Sequence, residues 1–199
     1  MRAEEARDLY ALLDGRGVWL WLDGGWGVDA LLGRQTRPHK DLDAFVALAD
    51  LPLLAEILGQ RGFDLKEIWE ENRWLPCADP VPLIGRAAPG PEIATAFVLA
   101  DGRGLELDVH ALGIDGAGRL VPAWDCPLVF PDESFAGRGI IAGLPVRCLS
   151  AATHMLTHSG YALQAKDLAD LRYLRERFGV APAEDAARLL DEDPAAGVR

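Results

Sequence analysis

The sequence has no apolar run long enough to cross a membrane, few cysteines and a shortage of basic residues. A membrane-spanning helix needs about 20 mainly apolar residues, so we expect no membrane partner. Cys77, Cys126 and Cys148 are far apart and include no Cys-x-x-Cys pair, which argues against a disulfide framework. The charged start of the chain lacks the apolar core of a signal peptide. We therefore expect a reduced, cytoplasmic setting.

The shortage of basic residues leaves the chain acidic. Twenty lysines and arginines stand against 31 aspartates and glutamates, which gives a formal net charge of −11. Such a surface repels the phosphate backbone of nucleic acid, so a nucleic-acid partner is not expected without a local basic patch. The chain has 199 residues, half of them apolar, and is therefore long enough for one compact domain or two small ones with a sizeable core. Composition does not indicate an oligomeric state.

Periodicity and turn residues predict an α+β fold. Helical spacing with suitable start and stop residues covers 3–14, 26–33, 50–62, 151–158, 163–178 and 182–193. Short β-rich segments cover 18–23, 41–46, 63–70, 93–100, 105–112 and 139–149. The segment 72–92 is rich in proline and glycine and is predicted to be a long loop. The change to helix after Leu149 predicts a sheet domain over 1–149 and a small helical domain over 150–199.

Two aspartates lie one residue apart on a predicted buried strand. Strand alternation places Asp41 and Asp43 on the same face, where they would repel each other without a cation. Asp108 lies on the polar face of a second predicted strand. Carboxylate oxygens suit Mg²⁺, and three carboxylates on neighbouring strands could hold two ions for phosphoryl transfer. A bare Asp-x-Asp pair, however, is more often solvated at the end of a loop.

The segment just before these aspartates favours the metal-site interpretation. Gly24 and Gly25 follow a predicted strand and open a helix. Helix N-termini attract phosphate, and glycine allows a phosphate to approach the backbone closely. Arg37 and Lys40, together with Arg34, flank the predicted metal strand and either contact a triphosphate or form a solvated rim.

Four segments carry a resemblance to a known family. GGWGVDALLGRQTRPHKDLDAFV (24–46) resembles the signature of the nucleotidyltransferase superfamily, Gly-Gly followed by Asp-x-Asp, and more narrowly its aminoglycoside/lincosamide nucleotidyltransferase-like branch. LELDVHAL (105–112), GIIAGLPVRCLS (139–150) and HSGYALQAKDLADLRYL (158–174) resemble later blocks of that branch, in the same order. The loop 72–92 departs from the pattern, which leaves the acceptor pocket open.

The resemblance implies a nucleotidyltransferase-type mixed sheet of about five strands, flanked by helices and followed by a helical domain. It implies Asp41 and Asp43 as Mg²⁺ ligands, and Asp108 as a third ligand or as the catalytic base. Lys166 matches a position that faces the triphosphate, the alternative being a surface ion pair with Asp167 or Asp170.

The activity that the resemblance implies is Mg²⁺-dependent transfer of a nucleoside monophosphate. AMP from ATP, or the equivalent from another NTP, would be moved to a hydroxyl of a small molecule such as an aminoglycoside or lincosamide antibiotic. Because the chain is acidic, and Asp132 and Glu133 precede the predicted 139–149 hairpin, we rank polycationic aminoglycosides first. The alternatives are a toxin-like transferase that modifies a protein or tRNA, and a non-catalytic nucleotide-binding domain.

Three histidines and one glutamate have open roles. His39 either orients a carboxylate or phosphate or bonds to the backbone of its turn. His154 and His158 are four residues apart, a zinc-like spacing, but without further ligands nearby we expect core or cleft histidines. Glu106 shares the polar face of Asp108 and could replace it.

Overall fold

The fold is described by a computed structural model that covers residues 1–70, 73–78, 95–124, 128–159 and 161–192. The helices in these residues are α1 (Ala3–Asp14), α2 (Gly24–Leu32), α3 (Leu51–Gly59), α4 (Ala151–Thr157), α5 (Ala165–Phe178) and α6 (Glu184–Glu192), and a 3₁₀ turn (Leu48–Asp50) precedes α3. The strands are β1 (Leu20–Leu22), β2 (Leu42–Ala47), β3 (Phe63–Glu70), β4 (Arg73–Pro76), β5 (Ala96–Asp101), β6 (Glu106–Ile114), β7 (Leu120–Pro122), β8 (Gly137–Ile141) and β9 (Leu144–Cys148).

The predicted α+β class is confirmed, and the observed elements differ from the predicted ones at several points. The segment 73–76 is a strand paired with β3 and not part of a loop, because its backbone completes the outer edge of the sheet. Helix α2 begins at Gly24, two residues before the predicted start. Asp50 precedes α3, but its carboxylate makes no capping hydrogen bond to that helix. Most of the predicted loop 72–92 lies outside the described residues, as does Cys126.

In the described residues, nine strands form one mixed sheet, larger than the expected five. Its order is β4-β3-β5-β6-β2-β1-β9-β8, with β7 paired to β6. The β2–β6 and β1–β9 pairs are parallel and the other pairs are antiparallel. Strand β2 is therefore flanked on both sides, by β1 and β6, and its side chains lie at the middle of the sheet.

Helix α2 connects the sheet to the C-terminal helices. Trp26 is buried in the main core, with α1, α3 and one face of the sheet. Val28, on the same helix, packs in a second apolar cluster with Met155, Leu171 and Leu174 of the C-terminal helices. The domain boundary predicted at 149/150 falls in the connection between β9 and α4, and that division stays a prediction. None of the described helices is long and apolar enough to cross a bilayer.

The predicted helix signals at α1 and α4 have clear physical causes. In α1, Ala6, Leu9, Tyr10 and Leu13 form the buried stripe that the sequence predicts. At the start of α4, the Ser150 hydroxyl accepts the N–H of Thr153 at 3.2 Å, which satisfies one of the unpaired N–H groups at the helix end. The first C-terminal helix, α4, therefore starts directly after β9, the last strand.

Candidate active site

Two parallel strands bring the predicted carboxylates together. In the β2–β6 pair, Asp43 lies opposite Asp108 and Phe45 lies opposite His110. Because side chains alternate along a strand, these four residues share one face of the sheet. Asp41 directly precedes β2, so the Asp41/Asp43 pair and the sequence-distant Asp108 lie at one end of this face.

Burial and mutual repulsion favour the protonated form of two of these carboxyls. Burial, with the negative charges of Asp41, Asp108 and Asp23, raises the pKa of Asp43 well above its ordinary value, against the opposing effect of Lys166. Burial raises the pKa of Asp108 to about 6, although His110 acts in the opposite direction. Without a cation, the site therefore holds more negative charge than it can stabilise.

The donor set fits a divalent cation that is shared with a substrate. One oxygen of Asp108 and one of Asp23 are buried without a hydrogen-bond partner in the described part of the chain. Among the described residues, no three acidic, histidine or cysteine side chains already surround one point, so the three-ligand site stays a prediction. Mg²⁺ is usually held by one or two carboxylates together with substrate phosphates and water, and Asp41 and Asp43 meet that requirement.

The paired glycines make room for side chains of the site. Gly24 has a φ of +54°, and a Cβ there would lie 2.2 Å from a carboxylate oxygen of Asp43. A Cβ on Gly25 would lie 2.3 Å from the His39 ring and 2.7 Å from the Arg37 guanidinium. The sequence predicts that these glycines admit a phosphate. In the structure, the space that their missing side chains leave is already taken by Asp43, His39 and Arg37.

A cavity of about 440 Å³ collects most of the predicted site residues between the sheet and the C-terminal helices. It is lined by Asp23, Gly24, Gly25, Arg37, Pro38, His39, Lys40, Asp41, Asp43, Thr157, His158, Tyr161, Lys166, Asp167 and Asp170. Asp108 is not in this lining, although it is the strand neighbour of Asp43. The lining of the cavity is acidic, and its cationic side chains are those of Arg37, Lys40 and Lys166.

The three cations differ in how firmly they are held. Arg37 is half-buried and forms an ion pair with Asp170 of α5, at 2.7 Å. Lys40 is exposed and bonds to Glu106 at 2.6 Å, an arrangement that matches the rim alternative and leaves Glu106 engaged. Lys166 lies in the first turn of α5 and has no ion pair among the described side chains. Its charge lowers the pKa of Asp43, and both residues line this cavity.

The histidines lie in buried contacts with aspartates or backbone. His39 Nε2 is 2.5 Å from Asp29, and a role of His39 in orienting a site carboxylate or phosphate stays a prediction. His154 is fully buried with Nδ1 3.3 Å from Asp23, and His158 Nδ1 is 2.7 Å from the carbonyl of His154. These are core and cleft histidines, as expected. Burial would raise the pKa of Asp23, but His154 and the Gly24 N–H together lower it.

A second cavity of about 480 Å³ lies beside the same face of the sheet. Trp124 lines it and also stacks on Phe45 with ring centroids 6.2 Å apart, so the cavity and the carboxylate face share a wall. Asp132 lines this cavity, but its carboxylate bonds to Arg119 at 3.0 Å. Glu133 lines neither cavity. The acidic side chains on which the aminoglycoside ranking depends therefore contribute little uncompensated charge.

Sequence reasoning missed four residues of the site. Asp23 carried a usable signal, since it directly precedes the Gly-Gly pair and occupies the N-cap position of α2. Asp29 lies in the segment 24–46 that carries the resemblance, and Asp170 was considered only as an ion-pair partner of Lys166; each is one acidic residue on a helix, and no spacing rule gives its partner. Tyr161 also lines the cavity, and no spacing rule relates it to β2.

Comparison with known proteins identifies relatives of this architecture. A family model described as aminoglycoside-2''-adenylyltransferase matches residues 5–78 and 90–174. A lincosamide resistance protein of Staphylococcus haemolyticus is 26% identical over 174 residues, which cover 85% of this chain and 93% of the relative. A 2''-aminoglycoside nucleotidyltransferase of Escherichia coli is 33% identical over 152 residues, which cover 71% of this chain and 64% of the relative.

A solved structure shares the fold. The crystal structure of the lincosamide antibiotic adenylyltransferase LnuA, lincomycin-bound, superposes with a TM-score of 0.67 over 88% of this chain and 97% of that chain, at 23% identity. At that identity, the likeness shows the fold alone, and it confirms the nucleotidyltransferase-type α+β architecture expected from the sequence.

Proposed function

The chain belongs to the aminoglycoside-2''-adenylyltransferase family and is thus a nucleotidyltransferase; on this basis we propose that it transfers AMP from ATP to a hydroxyl of a small-molecule antibiotic. One observation carries the proposal: Asp41 and Asp43 line the same cavity as Arg37 and Lys166. Carboxylates in the lining suit a divalent cation, and cationic side chains in the same lining suit a triphosphate. Both are needed to hold an NTP.

We assign Asp41 and Asp43 to Mg²⁺, with Asp108 as a further ligand or as the base. The ion supplies charge neutralisation on the triphosphate when it is bound. In this proposal, Arg37 and Lys166 contact the phosphates directly. Lys40 contacts them from the exposed rim of the cavity. The first turn of α2, with Gly24 and Gly25, contributes N–H groups and the positive end of its helix dipole.

In the reaction, the acceptor hydroxyl oxygen forms a bond to the α-phosphorus of ATP. The bond from that phosphorus to the bridging oxygen breaks, and pyrophosphate leaves with the electron pair. The hydroxyl proton passes to Asp108, whose pKa of about 6 in the metal-free protein suits a base that works near neutral pH. The cavity walls from the sheet and from α5 hold the two reactants in line, which reduces the entropic part of the barrier.

We propose an aminoglycoside or a lincosamide as the acceptor. The relatives in S. haemolyticus and E. coli carry those two classes in their names. The neighbouring cavity, lined by Trp124, Phe130 and Phe135, suits an acceptor with an apolar face, and the Arg119–Asp132 pair removes one reason to rank polycations first. A cytoplasmic site of action, where ATP is available, completes the proposal.

An acceptor panel tests the function directly. Purified protein is incubated with Mg²⁺, each of the four NTPs and representative aminoglycosides or lincosamides at low and high ionic strength. Pyrophosphate release and mass spectrometry are the readouts, and Asp43→Asn is the matched inactive control. We expect a mass gain of one nucleoside monophosphate on one compound class. Strong suppression by salt would indicate a polycationic acceptor.

Three other outcomes would overturn parts of the proposal. Labelling of the protein itself, or of an added protein or tRNA, would point to a macromolecular acceptor. Tight NTP binding without turnover on any compound would point to a non-catalytic domain. Product with another nucleotide in place of ATP would correct the donor and keep the reaction class.

A further inference from the structure

A buried carboxylate and imidazole lie directly behind Arg37. Asp29 of α2 is 2% exposed, and one of its oxygens accepts the N–H and the hydroxyl of Thr36, at 3.1 and 2.6 Å. Its other oxygen is 2.5 Å from Nε2 of His39. His39 is itself buried and lies against the Trp26 ring, with centroids 4.5 Å apart. The imidazole is therefore in contact with Asp29 on one side and with Trp26 on another.

The contact between His39 and Arg37 sets the position of the ring proton. Nδ1 of His39 is 3.0 Å from a terminal nitrogen of the Arg37 guanidinium. A guanidinium only donates hydrogen bonds, so Nδ1 must accept and carry no proton. The ring proton is then on Nε2, where the carboxylate of Asp29 accepts it. The hydrogen bonds from Asp29 through His39 to Arg37 can all form only in this tautomer.

Arg37 keeps donors for a ligand after these contacts are made. One N–H bonds to His39, and two nitrogens bond to the carboxylate of Asp170 at 2.7 and 3.4 Å. A guanidinium has five N–H groups, so two have no partner among the described residues, and Arg37 lines the cavity of about 440 Å³. Arg37 is thereby fixed between His39, in the connection that precedes β2, and Asp170 of α5.

The backbone at Gly25 leaves room for the contact between His39 and Arg37. A Cβ on Gly25 would lie 2.3 Å from Nδ1 of His39 and 2.7 Å from the Arg37 guanidinium. Both groups belong to the hydrogen-bonded series Asp29–His39–Arg37, and His39 cannot move away from an added side chain because it is buried. The absence of a side chain at Gly25 thus allows Arg37 and His39 to pack against the first turn of α2.

We propose that Asp29 and His39 are positioning residues that fix the tautomer and place of the imidazole so that Arg37 presents its free N–H groups to the triphosphate. The inference rests on the proposed function, because it needs a triphosphate in this cavity. Asp29 is not in the lining of the cavity, so its effect on nucleotide binding must pass through His39 and Arg37. His39 lines the cavity itself as well as contacting Arg37.

The substitution Asp29→Asn tests the tautomer with little change of shape. The amide oxygen can still accept both bonds from Thr36, which leaves the amide N–H₂ facing Nε2 of His39. Nε2 must then accept, its proton moves to Nδ1, and an N–H points at the guanidinium. Arg37 would be displaced, and we expect the dissociation constant for tripolyphosphate with Mg²⁺ to rise about tenfold, the size of one lost charge-assisted bond.

Isothermal titration of the wild-type protein with tripolyphosphate and Mg²⁺ comes first, because this probe is independent of the base and of the acceptor. Asp101→Asn is the matched control: Asp101 is buried and accepts the N–H groups of Arg103 and Leu105 at 2.8 and 2.9 Å, away from the cavity. We expect it to lower the melting temperature without changing the dissociation constant. Arg37→Gln should weaken binding by itself.

The double variant separates positioning from general damage. If Asp29 acts through Arg37, adding Asp29→Asn to Arg37→Gln should weaken binding no further. A full additional loss in the double variant, or unchanged binding in Asp29→Asn with a normal melting temperature, would overturn the inference. Wild-type protein that binds neither tripolyphosphate nor any NTP would instead overturn the proposed function, and this inference with it.

Discussion

Asp43 of β2 and Asp108 of β6 are direct neighbours in a parallel strand pair, at the end of the sheet face where Asp41 also lies. The relationship places two carboxyls with raised pKa side by side. Such crowding is unfavourable for the empty protein and favourable for a site that binds a cation. It is the basis of the first three predictions.

Replacing Asp41, which precedes β2, or Asp43, the second residue of β2, should abolish turnover. Asp41→Asn and Asp43→Asn each remove a negative oxygen donor from the proposed Mg²⁺ site, so we expect less than a tenth of the wild-type rate. Pyrophosphate release with a productive acceptor is the measurement, and circular dichroism checks that the fold is intact. If both variants retain more than a tenth of the rate, the ligand assignment is wrong.

Asp108→Asn should slow the chemical step more than it weakens nucleotide binding. A base that takes the acceptor proton contributes typically 10²–10⁴-fold to the rate, whereas a principal metal ligand also supports nucleotide affinity. Single-turnover rates and calorimetry with a non-hydrolysable NTP and Mg²⁺ separate the two roles. A loss of affinity as large as that of Asp41→Asn would make Asp108 a metal ligand.

The same residue should make the stability of the metal-free protein depend on pH. The folded-state pKa of about 6 for Asp108 lies above its ordinary value of 3.8, so the folded protein binds the proton more tightly than the unfolded chain. Stability therefore falls as pH rises from about 4 to about 6, and above that range the loss is complete. A difference of this size corresponds to on the order of 3 kcal/mol.

Thermal melts in a chelator compare wild type with Asp108→Asn across this range. The amide cannot ionise, so the variant should melt several degrees higher than wild type at pH 8, and the advantage should shrink towards pH 4. A difference between the two proteins that stays constant from pH 4 to pH 8 would contradict the raised pKa.

Gly25→Ala should damage the site even though alanine is the better helix former. The new methyl group would lie 2.3 Å from the His39 ring, so we expect weaker nucleotide binding and lower thermal stability. Gly59→Ala is the matched control, since Gly59 ends α3 with no atom within 4 Å of its added Cβ. That change should leave activity intact and stabilise by about 0.4–1 kcal/mol.

Some features of the site followed from the sequence because they depend on local pattern. Alternation along β6 puts Asp108 and His110 on one face and Val109 on the other, as predicted. The position of Gly24-Gly25 between a strand and a helix, followed by Asp-x-Asp, predicted a phosphate and metal site, and the resemblance of four segments to a known family predicted that it is a nucleotidyltransferase site. Ser150 marked the start of the C-terminal helices because a hydroxyl at that position satisfies a free N–H.

The sequence by itself thus determined the class of fold, the family resemblance and the identity of the acidic strand residues. Only the tertiary structure decided which of the helix residues belong to the site. Asp170 and Asp23 become partners of Arg37 and His154 through contacts between elements far apart in the chain, and Asp29 meets His39 across the connection that follows α2. Hydrophobic patterning sets which face of a helix is buried, but not which polar group lies opposite, because that depends on how the helices pack on the sheet.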